Sequence, residues 1–385
     1  MSRPGGRAEP AGPAVIAPAQ PAGVLAVDVG AGTSDILLTR PGQQLENAVK
    51  LVVPSATQVA GARIAAASAV GQTVVFRGPV MGGGAVTMAM KAHLAAGHAF
   101  VATASAAASF ADDPEKARAL GVRVVGDEAA DEVLRRLPPG AGAEVASGDL
   151  DAAALTAALR LLGVEPAFSA VAIAVQDHGF APGGSNRVLR FSLWQQAVAE
   201  RRPIASLFYA ADSVPDVLTR LKAAGVAAAA LAGDAPALVA DTGPAALYGA
   251  LPDGVLDAVL VNIGNGHTVC LLALDGRVAG VFEHHTSCLD GPGLELRLRR
   301  WLAGDLESDE VRADHGHGAV LAPGAADRDP LHLPLVVTGP RRELLAGSEL
   351  PLEFAAPHGD MMLTGCFGLL RALRERHDGL ARSAA

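Results

Sequence analysis

The 385-residue sequence has few cysteines, few aromatic residues and no excess of positive charge. Its three cysteines, Cys270, Cys288 and Cys366, are odd in number and far apart, which argues against a disulfide framework and indicates a cytoplasmic protein. The formal net charge is -9, so the chain lacks the electrostatic signature of a protein that binds nucleic acid or an anionic membrane. Any phosphate ligand must therefore be held by backbone amides and a metal ion.

Long apolar runs are also absent. Residues 92–111 carry no formal charge, but small residues and two histidines dominate this window, so we expect no membrane span. Prolines interrupt residues 1–22, which predicts a disordered tail rather than a signal peptide, and residues 377–385 are expected to form a second tail. Apolar residues make up 50% of the chain, which excludes a mainly disordered protein and, with this length, predicts two domains.

Two glycine-containing turns separate pairs of apolar, β-type segments. VLAVDVG and SDILLTR flank the first, and VLDAVLVNIG and VCLLALDG flank the second, which indicates two β-hairpins and a weak internal duplication. Between them, strand-like and helix-like segments alternate, and the near-continuous apolar run SAVAIAVQ is typical of a strand buried on both faces. The pattern predicts an α/β fold with parallel strands.

The first turn, residues 28–33, reads Asp-Val-Gly-Ala-Gly-Thr, and the second, residues 262–268, reads Asn-Ile-Gly-Asn-Gly-His-Thr. Glycines let the backbone approach a ligand closely, and such a turn offers N–H groups to phosphate oxygens. A dinucleotide fingerprint is excluded because a strand, not a helix, follows the first turn. The sequence contains neither a Walker A Gly-Lys-Ser/Thr nor a Gly-x-Ser-x-Gly nucleophile elbow.

With these two turns the sequence resembles the actin, Hsp70 and sugar-kinase superfamily. Residues 28–33 are similar to its phosphate-1 loop and residues 262–268 to its phosphate-2 loop. Residues 240–249 resemble the first connecting helix, with small residues where two helices cross closely. Thr338-Gly339-Pro340 resembles the adenosine loop, and residues 364–368 resemble the second connecting helix.

This resemblance implies two ribonuclease-H-like domains, residues 23–245 and 246–376, on either side of a nucleotide cleft. It implies ATP and Mg²⁺ as ligands, with Asp28 holding the metal through water. The expected nucleotide contacts are Gly30, Gly32, Thr33, Asn262, Gly264, Gly266, His267, Thr268, Thr338 and Gly339. The implied activity is that of an ATPase or phosphotransferase acting on an unidentified small molecule or partner protein.

Two residues depart from the superfamily pattern. Asn262 stands where phosphate 2 usually begins with Asp, which removes a charge that would help to orient hydrated Mg²⁺. Pro340 stands where the adenosine loop usually has its second glycine. The alternative left open is therefore a nucleotide-sensing regulatory module without turnover.

More narrowly, RGPVMGGG, VQDHGFAPGGSNRVLRF and FEHHTSCLDGPG resemble segments of a bacterial and archaeal family sometimes labelled as activators of pyruvate formate-lyase. That label implies a radical enzyme in which three clustered cysteines hold an iron–sulfur cluster, and this sequence has no such cysteine cluster. The activators of acyl-CoA dehydratases carry cluster cysteines between their phosphate loops, and none of the three cysteines lies between Thr33 and Asn262.

Three segments outside the phosphate loops are candidates for substrate contacts. Asp177 and His178 follow the buried strand at its carboxyl end, where they form either a general-base pair or a solvated turn. Residues 77–84, RGPVMGGG, form either an anion site at a helix N-terminus or a flexible turn. Ligand types for zinc occur at Glu283, His284, His285, Cys288, His315 and His317, but their spacing matches no standard zinc motif. Because His284 and His285 would point to opposite faces of a strand, we favour the interpretation in which one ring packs inward and the other is exposed.

Overall fold

The computed structural model describes residues 20–111, 113–181 and 183–377. The predicted tails therefore lie largely outside the described residues. The described strands, in chain order, are β1 Gly23–Val29, β2 Thr33–Thr39, β3 Val49–Pro54, β4 Thr73–Arg77, β5 Phe100–Thr103, β6 Arg123–Val125, β7 Gly142–Ala146, β8 Phe168–Val175, β9 Phe208–Ala210, β10 Ala237–Ala240, β11 Ala258–Ile263, β12 His267–Leu274, β13 Arg277–His285, β14 Gly318–Leu321, β15 Leu335–Thr338 and β16 Leu352–Phe354. The described α-helices are α1 Ala56–Ala69, α2 Gly84–Ala95, α3 Ala104–Ala107, α4 Pro114–Ala119, α5 Asp127–Arg136, α6 Ala152–Leu161, α7 Asn186–Ala199, α8 Thr219–Ala232, α9 Thr242–Ala250, α10 Gly291–Leu302, α11 Ser308–Ala313 and α12 Thr364–Arg376.

The first sheet has the strand order β3-β2-β1-β8-β10-β9. β1, β2 and β3 form an antiparallel meander, while β8 and β10 continue the sheet parallel to β1. β8 lies in the interior of the sheet, and its last six residues are buried. The apolar run SAVAIAVQ therefore forms the doubly buried strand that the sequence predicted.

The second sheet repeats this plan with the order β14-β13-β12-β11-β15-β16. β11 to β14 are antiparallel neighbours, and β15 and β16 continue the sheet parallel to β11. In both sheets the hairpin strand that precedes the glycine turn lies in the centre. This repetition confirms the predicted α/β fold with two ribonuclease-H-like units and the arrangement of an actin-like ATPase fold.

A third, four-stranded sheet with the order β6-β5-β4-β7 is inserted between β3 and β8. All its strand pairs are parallel, as the alternating strands and helices of this region predicted. The sequence did not reveal that these strands form a sheet of their own. β7 follows Pro138, Pro139 and Gly140 closely, in a stretch whose composition favours a loop, and it pairs with β4.

Two small-residue helices, α9 and α12, cross between the two large sheets, where both are buried over most of their length. At the crossing, a Cβ atom on Gly249 would lie 1.9 Å from the Thr364 carbonyl oxygen. A Cβ on Gly368 would lie 1.9 Å from the Ala245 carbonyl oxygen. Glycine is required on both helices because no side chain fits between the two backbones, and this confirms the close crossing that the sequence predicted.

No helix among the described residues combines the length and the apolar character needed to span a lipid bilayer.

Candidate functional site

The turn between β1 and β2 is a tight glycine hairpin. The Gly30 N–H donates to the Thr33 carbonyl at 2.9 Å, and the cross-strand register places Asp28 directly opposite Asp35. Because directly paired residues project from the same face of a sheet, the two carboxylates lie side by side. Asp28 was predicted from the motif, whereas Asp35, two residues after Thr33, was not.

The turn between β11 and β12 has the same construction. The Gly264 N–H donates to the His267 carbonyl at 2.9 Å, and Asn262 is paired with Val269. Asn262 therefore corresponds to Asp28, and His267 corresponds to Thr33. The second hairpin has Asn262 and Val269 where the first has Asp28 and Asp35. Of the two hairpins, only the first therefore contributes carboxylates at these positions.

Thr268 does not face the site, contrary to the prediction. Its side chain is buried, and its hydroxyl is hydrogen-bonded to the Thr286 hydroxyl at 3.0 Å. The register explains the error, because Thr268 corresponds to Ser34 and projects from the opposite face of its strand. His267, the first residue of β12, lines the site.

A cavity of about 370 Å³ lies between the two hairpins, a volume typical of small-molecule sites. The loop after β15 and the start of α12 complete its wall. The structure brings together almost all of the residues that the sequence predicted for the nucleotide site, and those on the wall are Asp28, Gly30, Gly32, Thr33, Asn262, Gly264, Gly266, His267, Thr338 and Gly339.

The hairpin tips approach each other across the mouth of the cavity. A Cβ on Gly32 would lie 3.3 Å from the side-chain amide nitrogen of Asn265. On the inner side, Gly339 adopts a positive φ of 102°, and a Cβ there would lie 2.4 Å from the Ile263 carbonyl oxygen. Glycine therefore allows the second hairpin and the loop after β15 to pack closely around the same space.

The two carboxylates of the first hairpin each have a buried oxygen, Oδ1, without a hydrogen-bond partner among the described residues. Burial, together with the like charges of Asp35 and Asp241, raises the pKa of Asp28 well above 3.8. Burial also raises the pKa of Asp35 from 3.8 to about 6, with a further increase from Asp360 and an opposing hydrogen bond from Thr33. Unpartnered buried carboxylate oxygens favour either a proton or a cation.

Replacing Asp35 with asparagine is expected to stabilise the ligand-free protein by up to about 3 kcal/mol above pH 6 and to change little near pH 4. The pKa of Asp35 is higher in the folded protein than in the unfolded protein, so the contribution of Asp35 to the free energy of unfolding is fully present below pH 3.8. This contribution is lost as the pH rises to about 6. Urea denaturation of both proteins across this range measures the effect. The exposed Asp234→Asn is the control, and parallel wild-type and D35N profiles would contradict the expectation.

A buried arginine, Arg190 on α7, joins the two halves of the fold. It donates from Nε to the Glu283 carboxylate at 2.8 and 2.9 Å and from its terminal nitrogens to Asp241 at 2.7 and 3.0 Å. Asp241 caps α9 through the Gly243 N–H, and Trp194 donates to Glu283 at 3.1 Å. Arg190 was not predicted from the sequence, because its partners are more than 50 residues away.

The structure does not pair Asp177 with His178 as a general base. Both Asp177 oxygens accept backbone N–H groups, from Gly179 at 2.7 Å and from Leu221 at 2.9 Å, and the residue is nearly inaccessible. Asp177 therefore shapes the turn after β8. His178 does line the cavity, where its Nε2 lies 3.3 Å from the Nε2 of His267.

The glycine segment before α2 reaches the same cavity with Gly82, Gly83 and Gly84. The Gly82 N–H donates to Asp149, which is also paired with Arg220 at 2.6 Å. Arg77, at the start of this motif, points elsewhere and is paired with Asp131 and Glu144. The segment is thus a hydrogen-bonded wall rather than a flexible turn.

The six zinc-type residues named from the sequence do not assemble into one site. Glu283 is paired with Arg190, Cys288 is exposed, and His284 is buried on the opposite strand face from His285. His317 instead packs against His178 and His267 across the two halves of the molecule. Of the residues that the structure describes, these three histidines form the only group of at least three potential ligands around one point.

Comparison with known proteins identifies one family. The family model described as "Putative pyruvate format-lyase activating enzyme (DUF1786)" matches residues 81–344. A search of curated proteins found no match. Among solved structures, the chain is similar to the ethanolamine utilization protein EutJ from Carboxydothermus hydrogenoformans, with 15% identity, 93% of this chain and 92% of that chain covered, and a TM-score of 0.34.

It is also similar to a non-polymerising mutant of MamK bound to AMPPNP. That likeness has 15% identity, covers 92% of this chain and 99% of the other, and has a TM-score of 0.31.

Proposed function

The chain belongs to the family whose model matches well over half of its residues, and we propose that it binds Mg-ATP between its two glycine hairpins as an ATPase or phosphotransferase. The observation that carries this proposal is the convergence of both hairpins on one cavity. A polyphosphate would lie between the tips. There the small residues let its oxygens approach main-chain N–H groups from both halves of the molecule.

The residues around the first hairpin fit a hydrated magnesium ion. Asp28 and Asp35 each offer a buried oxygen that has no hydrogen-bond partner in the described chain, and Mg²⁺ prefers carboxylate and water oxygens. When bound, Mg²⁺ would neutralise charge on the transferring phosphate. Asp28 would hold a metal-bound water, and Asp35 would add a second negative charge beside it. Thr33 and Thr338 would contribute hydroxyl groups on opposite sides of the cavity.

The activity in the family's description does not fit the cysteines of this chain. Cys270 and Cys366 are buried, Cys288 is exposed, and none belongs to a group of three potential metal ligands among the described residues. An activator of a radical enzyme with an iron–sulfur cluster would need such a group. Iron analysis of an anaerobic preparation tests this alternative, because a colourless, iron-free protein would dispose of it.

Asp28→Asn is expected to weaken Mg-dependent nucleotide binding by about 10- to 100-fold, because it removes a charged partner while keeping the side-chain shape. Calorimetric titration with Mg-ATP and a non-hydrolysable analogue measures the affinity. Asp212→Asn, an exposed substitution outside the cavity, is the control and should bind like the wild type. A folded wild-type protein that releases no heat with Mg-ATP would refute nucleotide binding itself.

Asn262 favours a second candidate, a nucleotide sensor that does not turn ATP over. An amide at this position lacks the charge that the first hairpin has at Asp28. Phosphate release by wild type, Asp28→Asn and Asn262→Asp separates the two functions. Release by the wild type that depends on Asp28 supports the enzyme, whereas release that only Asn262→Asp creates supports the sensor.

A further inference from the structure

We propose that His178, His267 and His317 form a site for a divalent transition metal of the zinc class, at the inner end of the cleft. The potential ligand atoms of these three residues all lie within 4.8 Å of one another. The Nε2 atoms of His178 and His267 are 3.3 Å apart. Two nitrogens bound to one tetrahedral zinc at about 2.0–2.1 Å are separated by about 3.3 Å, so this pair already has the spacing of a metal edge.

His317 supplies a second, independent observation. The residue has no solvent exposure, and both of its ring nitrogens lack a hydrogen-bond partner among the described residues. An imidazole buried in this way leaves polar atoms unsatisfied, which is costly. A metal ion would satisfy the ring nitrogen that faces the other two rings. The position of the residue is fixed by its backbone, because the main-chain N–H of His317 donates to the main-chain carbonyl of Glu283 at 3.0 Å.

The three histidines come from different parts of the fold. His178 follows β8 of the first sheet, His267 begins β12 of the second, and His317 directly precedes β14. A metal bound by all three would therefore link the two halves of the molecule beside the second hairpin. The distances along the chain explain why no sequence motif reveals the group.

The surroundings favour ligation by neutral imidazoles. Burial, reinforced by the Arg190 charge, lowers the pKa of His178 and of His317 to about 3, and burial also lowers the pKa of His267 well below 6.5. Neutral imidazole is the form that binds metals. The Arg190 guanidinium is itself paired with two carboxylates, Asp241 and Glu283.

Gln176 provides an orienting contact. Its side-chain amide nitrogen lies 2.5 Å from Nδ1 of His267. Rotation of the amide by 180° brings its oxygen to the same place, where it accepts from Nδ1–H of His267 and leaves the Nε2 lone pair facing the other histidines. Histidine ligands commonly have their second nitrogen held in this way.

Three protein ligands leave one tetrahedral position open. His178 and His267 both line the cleft, so that position is accessible to water or to an oxygen of a bound anion. An open position of this kind distinguishes catalytic from structural zinc sites. A metal there would lower the pKa of its water and supply a nucleophile or a Lewis acid close to the phosphate position.

The test uses Zn²⁺ for stoichiometry and Co²⁺ for spectroscopy on the full chain. The wild type, stripped with a chelator and reloaded, should hold about one zinc per chain and show the visible absorption of tetrahedral Co²⁺. His317→Asn should lower metal affinity by about 100-fold or more and abolish that spectrum, and His267→Asn should do the same if the first variant does not fold. His285→Asn is the matched control, since this ring packs against His267 and His317 but lies outside the group.

Folded wild type that retains no zinc would overturn the proposal, as would equal retention by wild type, His317→Asn and His267→Asn. Inorganic phosphate should shift the Co²⁺ spectrum if the fourth position is open, and an unchanged spectrum would contradict the open position. Nucleotide titration of the metal-stripped protein is a separate measurement. Its failure would refute the proposed function and leave the histidine site to be judged on metal retention alone.

Discussion

Replacing Arg190 with methionine is expected to lower the free energy of unfolding by about 3–5 kcal/mol. The substitution leaves the fully buried Glu283 and the buried Asp241 without their shared cation. It also removes the link from α7 to β13, a contact between the two halves of the fold. Methionine retains much of the aliphatic stem of arginine, so little apolar contact is lost. The expected destabilisation therefore comes mainly from the uncompensated buried carboxylates.

Arg77→Met is the matched control. Arg77 is also paired with two carboxylates, Asp131 and Glu144, but both are exposed and water screens them. Its loss is expected to cost no more than about 1 kcal/mol. Urea denaturation of both variants measures the difference, and equal destabilisation would show that the buried position of Arg190 is unimportant.

The same network should make the fold sensitive to acid. Burial alone would raise the pKa of Asp241, but the Arg190 guanidinium outweighs burial and holds that pKa below 3.8. Because the folded pKa is the lower one, the stabilising contribution is present above pH 3.8 and is lost as the pH falls through the folded value. Arg190→Met removes this contribution, so its destabilisation should shrink in strong acid.

The two hairpins could be predicted from the sequence because their signals are local. The first combines apolar segments with glycines over residues 24–40 and the second over residues 255–276, and the structure places both turns on one cavity. The assignment of hydroxyl donors was wrong at Thr268 because the motif was aligned by residue type. The strand register shows that His267, not Thr268, corresponds to Thr33.

Elements rich in alanine were harder to predict. α1 and α8 were missed because small residues occupy both their buried and exposed faces, so the apolar pattern has little contrast. β7 is also hard to predict because Pro138, Pro139 and Gly140, which favour a loop, precede it closely. The inserted third sheet was not recognised because strand patterns do not indicate which strands pair.

The electrostatic parts of the site depend on long-range contacts. Arg190 meets Glu283 across 93 residues, and His178 meets His267 across 89. Sequence spacing contains no signal for such pairs. Asp177 was a reasonable candidate from its position after β8, but its two backbone hydrogen bonds assign it to the turn.

Gly368→Ala is expected to destabilise the protein by about 3 kcal/mol or more, at the upper end of the range for overpacking. The added methyl group would lie 1.9 Å from the Ala245 carbonyl oxygen, and the backbone of α9 cannot rotate away as a side chain would. The helices must therefore separate along the crossing between the two sheets. Gly347→Ala is the control, because a Cβ at that exposed position meets nothing within 4 Å, so its effect should stay within about 0.5 kcal/mol.

Separation of the helices should also disturb the cleft. Gly365, one turn before Gly368 on α12, packs against Asp28 so closely that a Cβ there would lie 1.9 Å from the carboxylate oxygen Oδ2. A displaced α12 therefore changes the position of the carboxylate proposed to hold Mg²⁺. Any folded fraction of Gly368→Ala should bind Mg-ATP more weakly than Gly347→Ala does in the same calorimetric titration. Wild-type stability together with wild-type affinity in Gly368→Ala would mean that the crossing neither holds the two halves together nor positions Asp28.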